Sequence, residues 1–157
     1  MSGSLQLLEL KIPPPAVALS LAGLMWGLSS MPPVLDMPEF IRVAAAITLA
    51  LVGIGISLAG VISFRLARTT VNPMKPETTS SLVHSGIYKT TRNPMYVGML
   101  FVLVAWAVFL ASAWALLGPV AFVLYINRFQ IVPEERVLLA KFGADYTTYK
   151  SRVRRWL

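Results

Sequence analysis

The sequence predicts an all-α integral membrane protein: a bundle of four transmembrane helices, the last two a tight hairpin, with a cytosolic helical tail. Three observations predict it. Of 157 residues, 56% are hydrophobic and only 13% charged, with a mean hydropathy of +0.67, whereas soluble domains carry about 25% charged residues. Uncharged runs long enough to cross a hydrocarbon core about 30 Å thick recur along the chain. With four crossings, thirteen of the fourteen Lys and Arg residues fall on one side, leaving Arg42 alone opposite, so the positive-inside rule puts both termini in the cytosol.

The first span is expected over residues 13–35, inside the uncharged run between Lys11 and Asp36, and the second over 42–64, ending at Arg65. The first run lacks a charged n-region with a cleavage site, so it is expected to stay in place rather than act as a signal peptide. From Asn93 to Asn127 there is no charge for 35 residues, too long for one crossing at about 1.5 Å per residue. The chain is expected to fold back between Ala111 and Pro119, where Ser112, Gly118 and Pro119 weaken the helix. This gives spans over 94–111 and 114–132, a cytosolic loop over 65–93 and a tail over 133–157, all in a single membrane domain. Gly23-x-x-x-Gly27 and the series Gly53, Gly55, Gly60 permit close helix contact, within a monomer or across a homodimer.

Composition narrows the chemistry. There are no cysteines and one histidine, His84, so no metal is expected and thiol catalysis is excluded. The net charge of +7 is spread over loops and termini rather than gathered on one face, which argues against nucleic acid as a partner.

Polar residues concentrate in the loop and the tail. In the loop, Asn93 is a suitable N-cap and Pro94 a suitable first helical residue. A helix N-terminus there, with Arg92 beside it, suits a carboxylate or phosphate. In the tail, Pro133 is expected to start a helix with Glu134 and Glu135 in its first turn. A carboxylate so near the bilayer needs a cationic or hydroxyl partner, which is expected for Glu134. Gly143 should end that helix. Beyond it, Tyr146, Tyr149, Val153 and Trp156 form one stripe among Lys150, Arg152, Arg154 and Arg155, the pattern of an interfacial helix on an anionic leaflet or of a cover over a pocket.

The run Leu82-Val83-x-Ser85-Gly86-x-Tyr88, Arg92-Asn93-Pro94-Met95-Tyr96-x-Gly98, Asn127-Arg128-Phe129-Gln130, Pro133-Glu134-Glu135-Arg136 and Phe142-Gly143-x-x-Tyr146-x-x-Tyr149 resembles the isoprenylcysteine carboxyl methyltransferase family in its short bacterial form. The resemblance covers the C-terminal half. It implies an integral methyltransferase of the cytoplasmic (inner) membrane that uses S-adenosylmethionine as cosubstrate and carries no metal. By motif, the cosubstrate contacts would be Ser80, Ser81, Leu82, Val83, Tyr88, Asn93, Pro94, Met95, Tyr96 and Glu134, with Arg92 beside the carboxylate site. Arg128 and Gln130 would face the acceptor, although Gln130 stands where eukaryotic relatives have arginine, and Asn93 where many have histidine. The acceptor, an isoprenylcysteine-like carboxylate, a phospholipid amine or a thiol, is expected to enter from the lipid bilayer. If it is an amine, Glu135 and Tyr146 are the candidate proton acceptors among the side chains. Two other readings stay open: a nicotinamide-dependent membrane reductase of the sterol-reductase type, and a non-enzymatic membrane module.

Overall fold

The computed structural model describes residues 9–67 and 81–157. Helix α1 spans Pro14–Leu28, α2 Glu39–Leu66, α3 Pro94–Leu110, α4 Leu117–Ile126 and α5 Val132–Arg152. Short 3-10 turns, Gly86–Lys89 and Trp114–Leu116, precede α3 and α4, and a π turn, Asn127–Ile131, joins α4 to α5. The described residues hold no strand, only isolated bridges between Val34 and Ser112 and between Thr91 and Arg154.

Helix α3 is the centre of the bundle. It packs along α2 on one side and against α1 and α4 on the other, while α1 and α2 barely meet. The core gathers Val17 and Met25 of α1, Tyr96 and Leu103 of α3, Phe122 and Ile126 of α4, and Ile131. The outside is as apolar as the inside: Leu19 is 74% and Leu124 66% exposed, and Leu51, Ile62 and Val120 are exposed as well. A soluble monomer rarely shows so much contiguous apolar surface. Glu39–Leu66 and the continuous helical run Trp114–Arg152 are long and apolar enough to cross a membrane, and Pro14–Leu28 and Pro94–Leu110 are shorter apolar helices.

Several expected boundaries move. The first helix stops at Leu28, not 35, because Pro32 and Pro33 cannot continue a helix; residues 29–38 instead lie across the end of the bundle. There Leu35 donates its amide to the Ala111 carbonyl at 2.7 Å and Trp114 Nε1 donates to the Pro32 carbonyl at 2.8 Å. The second helix is longer than 42–64 at both ends. The chain reverses at Ala111, which adopts the left-handed conformation (φ 49), so the turn comes before Gly118 and Pro119, both of which lie within α4.

Pro133 stands in the first turn of α5 with Glu134 and Glu135, as expected, but α5 is not separated from α4. The helical run continues through it, and the π turn just before it opens the spacing that a proline ring needs from the preceding turn. Proline leaves a carbonyl one turn back without its usual donor, and the Phe129 carbonyl is instead met by the Leu10 amide at 3.0 Å. The break at Gly143 is present as a kink with φ 52.

Two glycines set the α2–α3 distance. A Cβ on Gly53 would lie 2.6 Å from the Gly98 carbonyl oxygen, and one on Gly98 would collide with Ser57 Oγ and the Gly53 carbonyl. Gly23, Gly27 and Gly55 face open space. Gly98→Val should therefore lower the melting temperature in mild detergent by several degrees, in keeping with about 1–3 kcal/mol for overpacking, whereas Gly55→Ala should leave it unchanged or slightly raised.

Candidate functional site

The start of α3 and the start of α5 meet at one end of the bundle. The Tyr96 hydroxyl, on the first turn of α3, donates to Glu134 Oε2 at 3.3 Å. One residue along, Glu135 accepts from Arg92 (2.7 Å) and Arg155 (2.9 Å), with the Lys150 ammonium at 3.2 Å.

These adjacent carboxylates have opposite surroundings. Glu135 is buried (8% exposed). Burial raises its pKa, but the hydrogen bonds from Arg155, Arg92 and Lys150 outweigh that and hold it at about 2. Glu134 is half-buried and has no cationic partner among the described residues. Burial pushes its carboxyl up to about 7; the Tyr96 hydrogen bond opposes the rise and the charge of Glu135 adds to it.

Tyrosines surround Glu134. Tyr88 is buried, packs edge-on against Phe64 at 5.2 Å, and is raised in pKa by burial and then by the charge of Glu134. Tyr146 is buried at 2% exposure and is likewise raised by burial, with the charges of Glu135 and Glu134 adding. Tyr149 donates its hydroxyl to the Tyr88 carbonyl at 2.8 Å. The stripe of tail aromatics thus faces the protein: Tyr146 and Tyr149 cover the loop, and Trp156 Nε1 donates to Asn127 Oδ1 at 3.2 Å.

The other expected site residues separate into two groups. Ser81, Leu82, Val83, Tyr88, Asn93, Pro94, Met95 and Tyr96 lie along one path from the end of α2 to α3, with Val83, Tyr88, Pro94 and Tyr96 buried and Ser81 Oγ donating to the Ala67 carbonyl at 3.3 Å. Ser80 lies outside the described residues. Asn93 makes no side-chain cap; its Nδ2 donates to the Arg155 carbonyl at 2.9 Å, and its amide donates to Thr91 Oγ1 at 3.2 Å. The amides of Met95 and Tyr96 have no acceptor among the described residues, since the first turn of a helix offers none of its own. Arg92 is committed within the fold: besides Glu135, its guanidinium donates to the carbonyls of Lys150 (3.0 Å) and Val153 (2.6 Å).

Arg128 and Gln130 hold the chain's own N-terminal segment. Arg128 pairs with Glu9 at 2.6 Å, as does Arg136 at 3.0 Å, and the fully buried Gln130 donates Nε2 to the Ile12 carbonyl at 2.7 Å. Glu9, Thr91 and the backbone of 153–155 were missed in the sequence. Glu9 had one available signal, as the only acid before Asp36 in a chain whose tail is rich in arginine.

Fold and site together define a helical membrane protein whose carboxylates and tyrosines gather at one end of an apolar bundle. The chain belongs to the phospholipid methyltransferase family, whose sequence model matches residues 41–145, a membrane methyltransferase family related to the isoprenylcysteine carboxyl methyltransferases. The match runs from α2 to Asp145 and includes both halves of the site. A Haemophilus influenzae protein described as uncharacterized is 49% identical over 63 residues, which is its whole length and 40% of this chain. No solved structure matches.

The two carboxylates predict opposite pH behaviour. Glu135, lowered from 4.5 to about 2, contributes stability that is present above pH 4.5 and lost as pH falls toward 2. Glu134, raised from 4.5 to about 7, favours the folded state below pH 4.5 and loses that contribution as pH rises through 7. In thermal unfolding of ligand-free protein, Glu135→Gln should melt about 5 °C or more below the parent at pH 7. Glu134→Gln should melt above the parent at pH 8 and level with it at pH 4.

Proposed function

We propose that this protein is an S-adenosylmethionine-dependent integral membrane methyltransferase with four crossings, both termini and the site being cytosolic, and a lipophilic acceptor that arrives from the bilayer. The family match and the apolar exterior support a membrane methyltransferase. The observation that carries the assignment of the site is Glu134: a carboxylate set into the protein with a hydroxyl partner and no cation beside it. Such a group fits the ammonium of the cosubstrate's methionine portion, and the amides of Met95 and Tyr96, without an acceptor among the described residues, fit its carboxylate.

S-adenosylmethionine, when bound, supplies a methyl group already activated by a positively charged sulfur. The protein's task is then to hold, align and exclude water. Glu134 would bind the ammonium or a ribose hydroxyl, and Tyr96 would orient that carboxylate through its hydrogen bond. Tyr88, with the backbone of Leu82 and Val83 beside it, would line the adenine slot, and Ser80 and Ser81 would extend it. Tyr146 would close the chamber from the tail side. Arg92 and Asn93 would act at one remove, by fixing the segment that leads into α3.

The two candidate proton acceptors are poorly suited to that role. Glu135 is held at about 2 by its three cations, and Tyr146 is pushed upward, so at neutral pH the first holds no useful basicity and the second keeps its proton. A carboxylate or thiolate acceptor needs no base, which leaves those two acceptors and an already neutral amine as the chemistry that fits. Within the wider group, the motifs from Leu82 to Tyr149 support a place close to the isoprenylcysteine carboxyl methyltransferases, and one bundle per monomer, alone or as a homodimer, is sufficient for the site.

Calorimetry with S-adenosylhomocysteine tests the reading. Binding should weaken by about 30-fold or more in Glu134→Gln, as for a lost charge-assisted contact of about 2–3 kcal/mol, and NADPH should give no heat. Undiminished affinity in the variant would remove Glu134 from the site.

A further inference from the structure

A second feature runs along the bundle, from Pro15, Ser57 and Met99 at the end that holds Tyr96 to Ala46 and Phe109 at the other. Because α1 and α2 both pack on α3 but barely meet, they leave a cleft of about 670 Å³ between them, a volume in the range of ligand sites. Its walls are apolar along their length, with Ala18 and Ala22 on α1, Ala46 and Ala50 on α2, and Leu103 and Trp106 on α3. The alanines keep it open, and Trp106 is fixed in its wall by donating Nε1 to the Ala22 carbonyl at 3.0 Å.

At the end remote from Glu134, the cleft is bounded by Phe109, which stacks on Trp106 at 5.4 Å. Over the Phe109 ring, 5.8 Å from its centre, lies the guanidinium of Arg42. This arginine, the one basic residue assigned to the non-cytosolic side, has no ion pair with any described residue, and its Nε is buried without an acceptor. The exposed carboxylates of Asp36 and Glu39 share that end of the bundle without reaching it. A slot for a hydrocarbon chain thus ends at a guanidinium with unused donors, close to two carboxylates.

We infer that the cleft binds a zwitterionic glycerophospholipid of the opposite leaflet, with an acyl chain between α1 and α2 and the phosphodiester on Arg42. The head group's phosphate and ammonium meet both signs of charge present there. This lipid is not the methyl acceptor in that pose: Phe109 and Tyr96 are thirteen residues apart on α3, or about 20 Å, so its head group lies a helix length from Glu134. Its effect is to brace α1 against α2, which barely meet. The inference rests on the membrane placement proposed above and not on the methyl-transfer reading.

The test uses delipidated full-length protein in a neutral detergent, without nucleoside, and compares dioleoyl phosphatidylcholine with dioleoylglycerol. The choline nitrogen already carries four carbon substituents, so that lipid cannot serve as a nitrogen acceptor. Phosphatidylcholine should raise the melting temperature several degrees more than dioleoylglycerol does. Arg42→Gln should erase that difference, and Ala50→Phe, which fills the slot, should abolish both responses. Native mass spectrometry of the unmodified protein gives a reading that needs no variant: one phosphatidylcholine should be retained at collision energies that strip dioleoylglycerol, with at least tenfold higher occupancy. Equal stabilisation or equal retention of the two lipids, or an undiminished phosphatidylcholine response in Arg42→Gln, overturns the inference. Binding of S-adenosylhomocysteine, measured on the same samples, reports on the methyltransferase site separately.

Discussion

The arrangement depends on one ion cluster, Glu135 with Arg92, Lys150 and Arg155. It joins three stretches that are far apart in the chain: the residues leading into α3, the start of α5, and the C-terminal segment. The backbone follows the same path. The Arg92 amide donates to the Arg154 carbonyl at 2.9 Å, and Thr91 Oγ1 donates to the Arg155 carbonyl at 3.2 Å. A buried carboxylate is tolerable only with its charge compensated, and here two arginines and a lysine compensate it while closing the end of the bundle. Tyr96 and Glu134 come together because of that closure.

Two neighbouring acids therefore do different work. Glu135 has every partner it can use, which makes it a structural group and leaves no capacity for a ligand. Glu134 has one hydroxyl and a raised pKa, the condition of an acid that lacks its counter-ion. Divergent environments for adjacent titratable groups are a common way of separating roles in a site. The same contrast separates the arginines: Arg92, Arg128 and Arg136 are spent on Glu135 and Glu9, whereas Arg42 is left with an aromatic ring.

Much of this was legible in the sequence, and what was not has a physical reason. Hydropathy located the apolar helices α1 to α4, and the expectation of four crossings put the Pro94 and Pro133 segments on one side, where they could meet. Local rules failed where tertiary contacts replaced them. Asn93 would cap α3 in isolation, but its side chain is recruited by the Arg155 carbonyl. Pro133 stands in the first turn of α5 as its type suggests, but no break separates that helix from α4, because a π turn and the Leu10 amide absorb the proline's defects. Arg92 reads as a ligand group until the C-terminal segment folds back onto it. The partnership of Glu9 with Arg128 links residues more than a hundred positions apart, and no periodicity reports such a contact.

Whether Glu134 and the first turn of α3 form the two ends of one cosubstrate site is read off most directly from an experimental structure of the protein with S-adenosylhomocysteine. The ligand's ammonium should lie within hydrogen-bonding distance of Glu134, its carboxylate at the amides of Met95 and Tyr96, and its adenine beside Tyr88. A nucleoside bound elsewhere, or Tyr96 and Glu134 on separate surfaces, would contradict this arrangement.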